Sequence, residues 1–136
     1  MAGIAKKDAR LWKVVATYDF AVHGGAVGTI DLKHGLSKGC VVVGGFMRIL
    51  TVPTSGGSAT IAAQLEAAND IVTATAFDNA LFATTGNRAI VPVWTAATMK
   101  ETTVDRNLSL VIGGAALTAG KIEFHLWVDQ IINILS

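Results

Sequence analysis

The stretch Trp12–Leu50, WKVVATYDFAVHGGAVGTIDLKHGLSKGCVVVGGFMRIL, decides the fold of this chain because it combines strand-like alternation with glycine-rich turns. Its first part places an apolar side chain at every second position: Trp12, Val14, Ala16, Tyr18 and Phe20. A period of two is typical of a β-strand with one buried face, so we predict that Tyr18 is buried. The turn residues His23-Gly24-Gly25 and a second strand over Val27–Leu32 then predict a β-hairpin with a slightly long loop.

A longer strand follows a polar loop that we predict over Lys33–Gly39. Cys40–Val43 is apolar at every position, which predicts a strand covered on both faces. The Gly44-Gly45 pair predicts a bulge or a corner in this strand, because glycine weakens and bends an extended segment. Phe46–Thr51 completes the strand, and the glycine- and serine-rich segment Val52–Ser58 is predicted to be a loop.

The segment Ser58–Ala68 is compatible with two structures. Its alternating apolar positions suit a strand, whereas its alanine content and the spacing of Ile61 and Leu65 also suit a short helix. We favour the strand, because the flanking loops leave it the length of one arm of a hairpin. Ile71–Ala76 is then its predicted partner strand.

The second half of the chain continues in the same manner. A long connection over Phe77–Asn87, with one helical turn at Asp78–Phe82, is followed by these predicted strands: Arg88–Trp94 at a sheet edge, Met99–Thr103, Asn107–Ile112 and Lys121–Asp129. About eight short strands separated by glycine-rich turns, without a convincing long helix, are typical of an all-β protein. We therefore predict an antiparallel β-sandwich, a jelly roll of about eight strands.

Length and composition indicate one domain with apolar surface to spare. The 136 residues suffice for a single hydrophobic core, and we predict a flexible basic N-terminal arm over 1–10 and one jelly-roll domain over 11–136 that ends in an apolar C-terminal tail. Hydrophobic residues make up 51% of the chain and charged residues 15%, against the usual 25% or so of charged residues. A body this small cannot hide that much apolar surface, so we expect part of it to face a partner.

Several functional classes are disfavoured by the same numbers. A net charge of +1 gives no basic field for nucleic acid. The longest apolar run, Ile122–Leu135, contains Glu123, His125 and Asp129, so we expect no membrane span. The N-terminus has no apolar stretch of the kind found in secretion signals, so we expect synthesis in a reducing cytoplasm, with the single cysteine, Cys40, buried and unpaired.

No residue pattern predicts catalysis or cofactor binding. The three histidines, His23, His34 and His125, lack the paired spacing of metal ligands, and a metal site built from them with Cys40 or an aspartate is the alternative to two loop residues and one residue at a sheet rim. Ser37 or Cys40 could pair with His34 as a nucleophile and base, but no signature surrounds them.

The carboxylates Glu66 and Asp70 flank a turn and are explained by a solvated hairpin tip as readily as by acid–base chemistry. We expect no enzyme, no metal and no cofactor.

Two terminal segments are the candidate partner-binding sites. The arm carries Lys6, Lys7 and Arg10, and these cations suit either a solubilising tail or docking on an acidic surface. The tail is unusually apolar for a free terminus, and its candidate contact residues are Ile131, Ile132, Ile134 and Leu135.

A family resemblance covers nearly the whole chain. It is carried by these segments: Tyr18–Leu32, Leu36–Val42, Thr54–Thr60, Thr95–Lys100, Asn107–Ile112 and Ala116–Lys121. The chain resembles small structural proteins of tailed bacteriophages, and within them the jelly-roll cement, or decoration, proteins that bind the outside of the phage head, of the kind found on the Bordetella phage capsid.

The resemblance implies a non-enzymatic protein of the virion, made in the cytoplasm of the bacterial host and placed on the outer surface of the capsid. Its implied partners are a major capsid protein with an HK97-like fold and further copies of itself, as dimers or trimers, with termini that exchange or augment strands. The alternative is a head-fibre or lectin-like module that recognises the host surface. That alternative predicts an exposed aromatic residue on a loop, for which Trp94 is the best candidate.

Overall fold

A computed structural model describes residues 11–90 and 101–130 of the chain. This part contains eight strands and one short helix: β1 (Leu11–Asp19), α1 (Phe20–His23), β2 (Gly28–Leu36), β3 (Cys40–Ser55), β4 (Thr60–Gln64), β5 (Val72–Ala76), β6 (Gly86–Ala89), β7 (Arg106–Gly113) and β8 (Leu117–Gln130).

The strands form two four-stranded antiparallel sheets. Sheet 1 has the order β1-β8-β3-β6, and sheet 2 has the order β2-β7-β4-β5. The first four strands pair with the last four in reverse order, β1 with β8, β2 with β7, β3 with β6 and β4 with β5. This is the topology of a long hairpin rolled into a double-sheet jelly roll, so the predicted fold is confirmed.

The core lies between the two sheets and is supplied mainly by their central strands. Strand β8 of sheet 1 turns Ile122, Phe124, Leu126 and Val128 inward, as predicted, and none of these is more than 1% exposed. Strand β7 of sheet 2 buries Leu108, Leu110 and Ile112 opposite them. Complete burial of one such side chain contributes about 1.5–3 kcal/mol, so these alternating positions select the faces that the sheets bury.

The predicted hairpin of the first two strands is wrong. β1 and β2 belong to different sheets, and the chain passes between them through α1. Asp19 caps this helix, since its carboxylate accepts the backbone N–H of Ala21 at 3.0 Å. Alternation in two consecutive segments predicted that both strands exist, although Phe20 belongs to α1 and β2 extends to Leu36. Their pairing depends on distant parts of the chain.

Three strands are longer than predicted, because β-bulges accommodate residue types that are otherwise common in loops. β2 runs to Leu36 through Lys33, whose φ is +66°, and its register shifts between Asp31 and Gly35. β3 runs to Ser55 with several register shifts, one of them at the predicted Gly44-Gly45 bulge.

β8 begins at Leu117, four residues before the predicted start at Lys121, and therefore includes Ala119 and Gly120. In each case the strand remains paired with its neighbour in the sheet, and this pairing keeps residues with weak strand propensity in an extended conformation.

The ambiguous segment Ser58–Ala68 forms strand β4, and Ile71–Ala76 supplies its partner β5, as predicted. The connection from residue 77 to residue 85 consists of turns rather than a helical turn, and it buries Phe82 completely. The predicted edge strand Arg88–Trp94 starts earlier, as β6, and its last four residues lie outside the described part. Of the predicted strand Met99–Thr103, Glu101 forms an isolated bridge to Val41, while Met99 and Lys100 lie outside the described part.

Candidate interaction surfaces

The groups considered for chemistry are held in structural roles. The ring of His23 accepts the Asp19 backbone N–H at 3.1 Å, and His34 is exposed on β2. Cys40 is completely buried, with its sulfur 3.6 Å from the Ser37 hydroxyl. Within residues 11–90 and 101–130, no three His, Cys, Asp or Glu side chains come together as metal ligands would.

Asp70 is buried rather than solvated, which corrects the expectation of an exposed hairpin tip. Its side chain accepts three backbone N–H groups, from Leu65 and Glu66 at 2.8 Å and from Ala67 at 2.9 Å. Only 4% of the residue is exposed. The carboxylate therefore satisfies the donors of the β4–β5 turn, as buried polar groups normally do for one another.

Glu66 lies beside Asp70 in sequence but faces a different element. It accepts two hydrogen bonds from the Arg106 guanidinium, at 3.2 and 3.1 Å, and the backbone N–H of Thr103 at 2.8 Å. The Thr103 N–H holds the pKa of Glu66 below its ordinary value, and Arg106 acts in the same direction. These bonds tie the β4–β5 turn to the segment that enters β7.

The same segment is tied to the β2–β3 turn by a buried threonine. The Thr102 hydroxyl accepts the Cys40 backbone N–H at 2.9 Å and donates to the Ser37 carbonyl at 2.8 Å. Because β3 begins at Cys40, opposite Gln130 of β8, this end of the sandwich is also where β8 finishes. We call it the terminal end.

All seven predicted partner-binding residues lie outside the described part of the chain: Lys6, Lys7, Arg10, Ile131, Ile132, Ile134 and Leu135. The structure does fix the points from which the arm and the tail start. Leu11 is paired with Asp129, so the chain enters β1 and leaves β8 on neighbouring strands at the terminal end.

The outer face of sheet 1 carries an apolar patch, which we call the aromatic face, formed by Val15, Val43, Phe46, His125 and Trp127. The His125 ring stacks on Phe46 with centroids 4.6 Å apart and planes inclined by 5°. Trp127 is 43% exposed, and Val15 and Val43 are each 40% exposed. The exposure of Val43 shows that the prediction of a strand covered on both faces is wrong.

Charged side chains surround this patch. Lys13 places its ammonium 5.1 Å from the centre of the Trp127 ring, and Glu123 contacts His125 Nε2 at 2.8 Å. Arg48 is exposed in the row of residues next to Phe46. An apolar centre with a charged rim is the usual anatomy of a protein–protein interface.

The loops at the opposite end have a different character. The segments 20–28, 56–59 and 113–118 contain no Asp, Glu, Lys or Arg, and we call the surface that they form the charge-free end. Val22 is 75% exposed and Val27 is 58% exposed. They are the most exposed large hydrophobic side chains in the described part of the chain.

Backbone and hydroxyl contacts hold these loops together. The Leu117 N–H donates to the Gly25 carbonyl at 2.8 Å, and the Ser55 hydroxyl donates to the Ala116 carbonyl at 2.7 Å. A Cβ at Gly25 would overlap the carbonyl oxygen of Leu117, so only glycine permits this approach. The Tyr18 hydroxyl donates to the Gly24 carbonyl at 2.7 Å from within the core. The loops of the charge-free end are therefore held in one arrangement by hydrogen bonds and close backbone contacts.

Sequence reasoning missed both surfaces, although each left a signal. Val15 and Trp127 are apolar residues at polar positions of otherwise alternating strands. The charge-free end corresponds to three stretches without Asp, Glu, Lys or Arg, residues 20–30, 49–65 and 107–120. The alternation was used to choose the buried face, and the exceptions to it are exposed apolar residues on the outer face of sheet 1.

Comparisons with known proteins find one similar structure. No model of a protein family matches the chain, and no curated protein matches it. A chain in the acidic stable capsid structure of Helicobacter pylori bacteriophage KHP30 matches it with a TM-score of 0.60 and 11% sequence identity. The match covers 89% of this chain and 88% of that chain. The two chains share a fold.

At 11% identity the similarity is one of fold rather than of residues, so no contact residue carries over from the phage chain. The match extends over almost all of both chains, which means that the whole jelly roll is shared and not one hairpin or one sheet.

The helix in the described part has four residues, far fewer than a membrane crossing requires.

Proposed function

We propose that this chain is a structural protein of a phage capsid, and specifically a cement, or decoration, protein that binds the outer surface of the head and stabilises contacts between subunits of the major capsid protein. The observation that carries the proposal is the end-to-end match of its jelly roll to a chain of a phage capsid structure. The resemblance of its turn and strand motifs to cement proteins points the same way.

The proposed head-binding surface joins the aromatic face to the two terminal segments. Leu11, Asp129 and Val41 form one row across β1, β8 and β3 at the terminal end, and Trp127 lies two residues before Asp129 on the same face of β8. The arm precedes Leu11, at one end of this row. The tail follows Gln130 of β8, which is the middle strand of the three. Fully extended, the ten residues of the arm span about 35 Å and the six residues of the tail about 20 Å.

This arrangement suits a partner of different sequence. The aromatic face supplies buried apolar contact, and its rim of Lys13, Arg48, Glu123 and Asp129 needs matching charges on the other side. The arm adds Lys6, Lys7 and Arg10 for an acidic shell surface, while the tail adds apolar anchors. On a capsid, repetition supplies avidity, so that each contact can be modest.

The proposed partners are a major capsid protein with an HK97-like fold and further copies of this chain, as a dimer or a trimer. No catalytic step, cofactor, nucleic acid or membrane enters the proposal. The protein would be made in the cytoplasm of the bacterial host and found on the outside of the virion.

The alternative of a host-surface recognition module gains no support from the described residues. The exposed aromatic side chain there is Trp127, which lies on a strand under Lys13 rather than on a loop. Trp94, the candidate from sequence, lies outside the described part of the chain.

The proposal is tested by adding the purified protein to assembled heads that lack it and sedimenting them through a gradient. We expect the chain to co-sediment at a near-stoichiometric ratio to the major capsid protein. Removal of residues 1–10 should lower this occupancy at sub-saturating protein, most clearly at low salt, where the attraction between the cations of the arm and an acidic shell is least screened. Heads that sediment without the full-length chain at saturating concentration would contradict the proposed function, whereas unchanged occupancy of the truncated chain would remove only the arm from it.

A further inference from the structure

We infer that the charge-free end is the surface through which two copies of this chain bind each other, face to face about a two-fold axis. The inference rests on the proposed function for its partner, a further copy of this chain, and deepens it by assigning to that partner a surface at the end of the sandwich opposite the proposed head-binding surface. It rests on the residues of the three loops and is testable in the free protein.

The first argument is electrostatic. In a two-fold interface the same patch lies on both sides, so any charge near the axis meets its own copy. Like charges placed opposite each other cost on the order of 100-fold in affinity. A surface that lacks Asp, Glu, Lys and Arg, and whose histidine, His23, is half-buried, avoids most of this cost in every rotation about the axis.

The second argument concerns the apolar surface. Val22 and Val27 lie on the segment between β1 and β2, next to Ala21 and Ala26, and Ala116 adds a further exposed methyl group. Exposed apolar area grouped in this way marks a surface that another protein covers. The glycines of the facing loops keep the surface low, so that two copies can approach closely.

The third argument is that the end is rigid before binding. Hydrogen bonds of 2.7–2.8 Å link the loops to one another and to Tyr18 in the core. A preformed surface loses little conformational entropy on association, which matters for a contact without ion pairs.

Charges begin only at the border. Asp19 is paired with Lys121 at 3.7 Å. Asp78 lies across a depression of about 280 Å³ from Gly57 and Ser58. His23 lies within the first of the three loops, where it is half-buried and stacks on Tyr18 with ring centroids 5.8 Å apart. A polar border around an apolar centre is again the anatomy of an interface.

Other occupants fit less well. The tail of the same copy starts at Gln130 and spans about 20 Å at most, whereas β8 separates its origin from the charge-free end by roughly 40 Å. The proposed head-binding surface lies at the terminal end and on the outer face of sheet 1, and its charged rim suits a partner of different sequence. A second copy is the partner that an uncharged end accommodates best.

The test is sedimentation equilibrium of the purified full-length chain. Copies that neighbour each other on a shell experience effective concentrations of the order of millimolar, so the measurement extends to about 1 mM. We expect a monomer–dimer equilibrium whose dissociation constant does not rise between low and high salt. The double variant Val22→Glu/Val27→Glu should raise that constant at least about 100-fold, since four carboxylates would then meet at one interface.

The matched control is Val104→Glu, which places the same substitution on a side chain that is 50% exposed at the terminal end. It should leave the dimer intact. Circular dichroism and thermal unfolding should be unchanged in both variants, because the substituted side chains are exposed.

Several results would overturn the inference. These are a chain that stays monomeric to about 1 mM, a dimer that survives the double substitution, and a dimer that dissociates when residues 131–136 are removed, which would make a neighbour's tail the occupant. A monomeric chain whose double variant loses head occupancy would assign the charge-free end to the shell instead. A monomer that still saturates heads would overturn this inference and leave the proposed function standing.

Discussion

The imidazole of His125 lies flat against the ring of Phe46 on the outside of sheet 1, with centroids 4.6 Å apart and planes inclined by only 5°. His125 is the partner of both Phe46 and Val15 in the register, so this stack occupies the centre of the aromatic face. Its Nε2 atom contacts Glu123, and its buried Nδ1 atom has no hydrogen-bond partner among the described residues. The arrangement turns a polar strand position into part of an apolar platform beside Trp127.

Trp127 is expected to be the main anchor of the aromatic face. Trp127→Ala should weaken binding to heads about 30-fold, corresponding to about 2 kcal/mol, because a tryptophan at the centre of an interface commonly contributes that much. Its effect on folding should be small, since the side chain is 43% exposed. The measurement is a binding isotherm on heads that lack the protein. Thr73→Ala, at an exposed position of β5 in sheet 2, is the control and should bind normally.

We expect the hydrogen bond from Tyr18 to Gly24 to stabilise the β1–β2 connection at the charge-free end. Tyr18→Phe removes the hydrogen bond to the Gly24 carbonyl and is expected to lower the free energy of unfolding by about 1 kcal/mol. The loss is limited to this size because the Gly24 carbonyl can hydrogen-bond to water instead. Denaturant titration would measure the loss. An unchanged midpoint would show that the hydroxyl contributes nothing to stability.

The same residue predicts the alkaline limit of stability. Burial raises the pKa of Tyr18 from 10.0 to about 12, with the negative charge of Asp19 adding to the effect. Between these values the unfolded chain releases the phenolic proton while the folded chain retains it, so stability falls as pH rises through this window. Tyr18→Phe should flatten that part of the profile of unfolding midpoint against pH. An equally steep decline in the variant would assign it to other groups.

Glu66 should contribute to stability in the opposite pH range. Its pKa is lowered in the folded state by the Thr103 backbone N–H and by Arg106. The stabilisation is therefore complete above the ordinary pKa of glutamate and is lost as pH falls through the lower folded value. Glu66→Gln should be less stable than the parent at neutral pH and should approach it in acid. A difference that does not change with pH would show that the ion pair has no part in it.

Asp70 is expected to be the most sensitive carboxylate. Asp70→Ala leaves three backbone N–H groups of the β4–β5 turn without their acceptor, at about 1–3 kcal/mol for each buried donor that water does not reach. Thermal unfolding should shift by many degrees, whereas Asp78→Ala, at an exposed position, should change little. Similar midpoints for the two variants would contradict the structural role of Asp70.

Particular segments show how much of the fold can be predicted from local sequence. The alternation over Lys121–Asp129 fixed both the strand and its buried face, because the pleat of a strand gives side chains a period of two whatever the strand pairs with. The same argument failed for the pairing of β1, since antiparallel partners are chosen by long-range contacts. It failed again at Lys33 and at Ala119-Gly120, where a neighbouring strand carries residues of low strand propensity through a bulge or a bend.

The sequence by itself determined that this protein is all-β, which face of its alternating strands is buried, and that apolar residues remain in excess. Only the tertiary structure decided where that excess lies, because a surface is made of residues that are distant in the chain. Pairing β8 between β1 and β3 assembles Val15, Phe46 and Trp127 into one face, and closing the roll brings three uncharged loops together at one end. Long-range pairing produces both surfaces, and local periodicity carries no information about it.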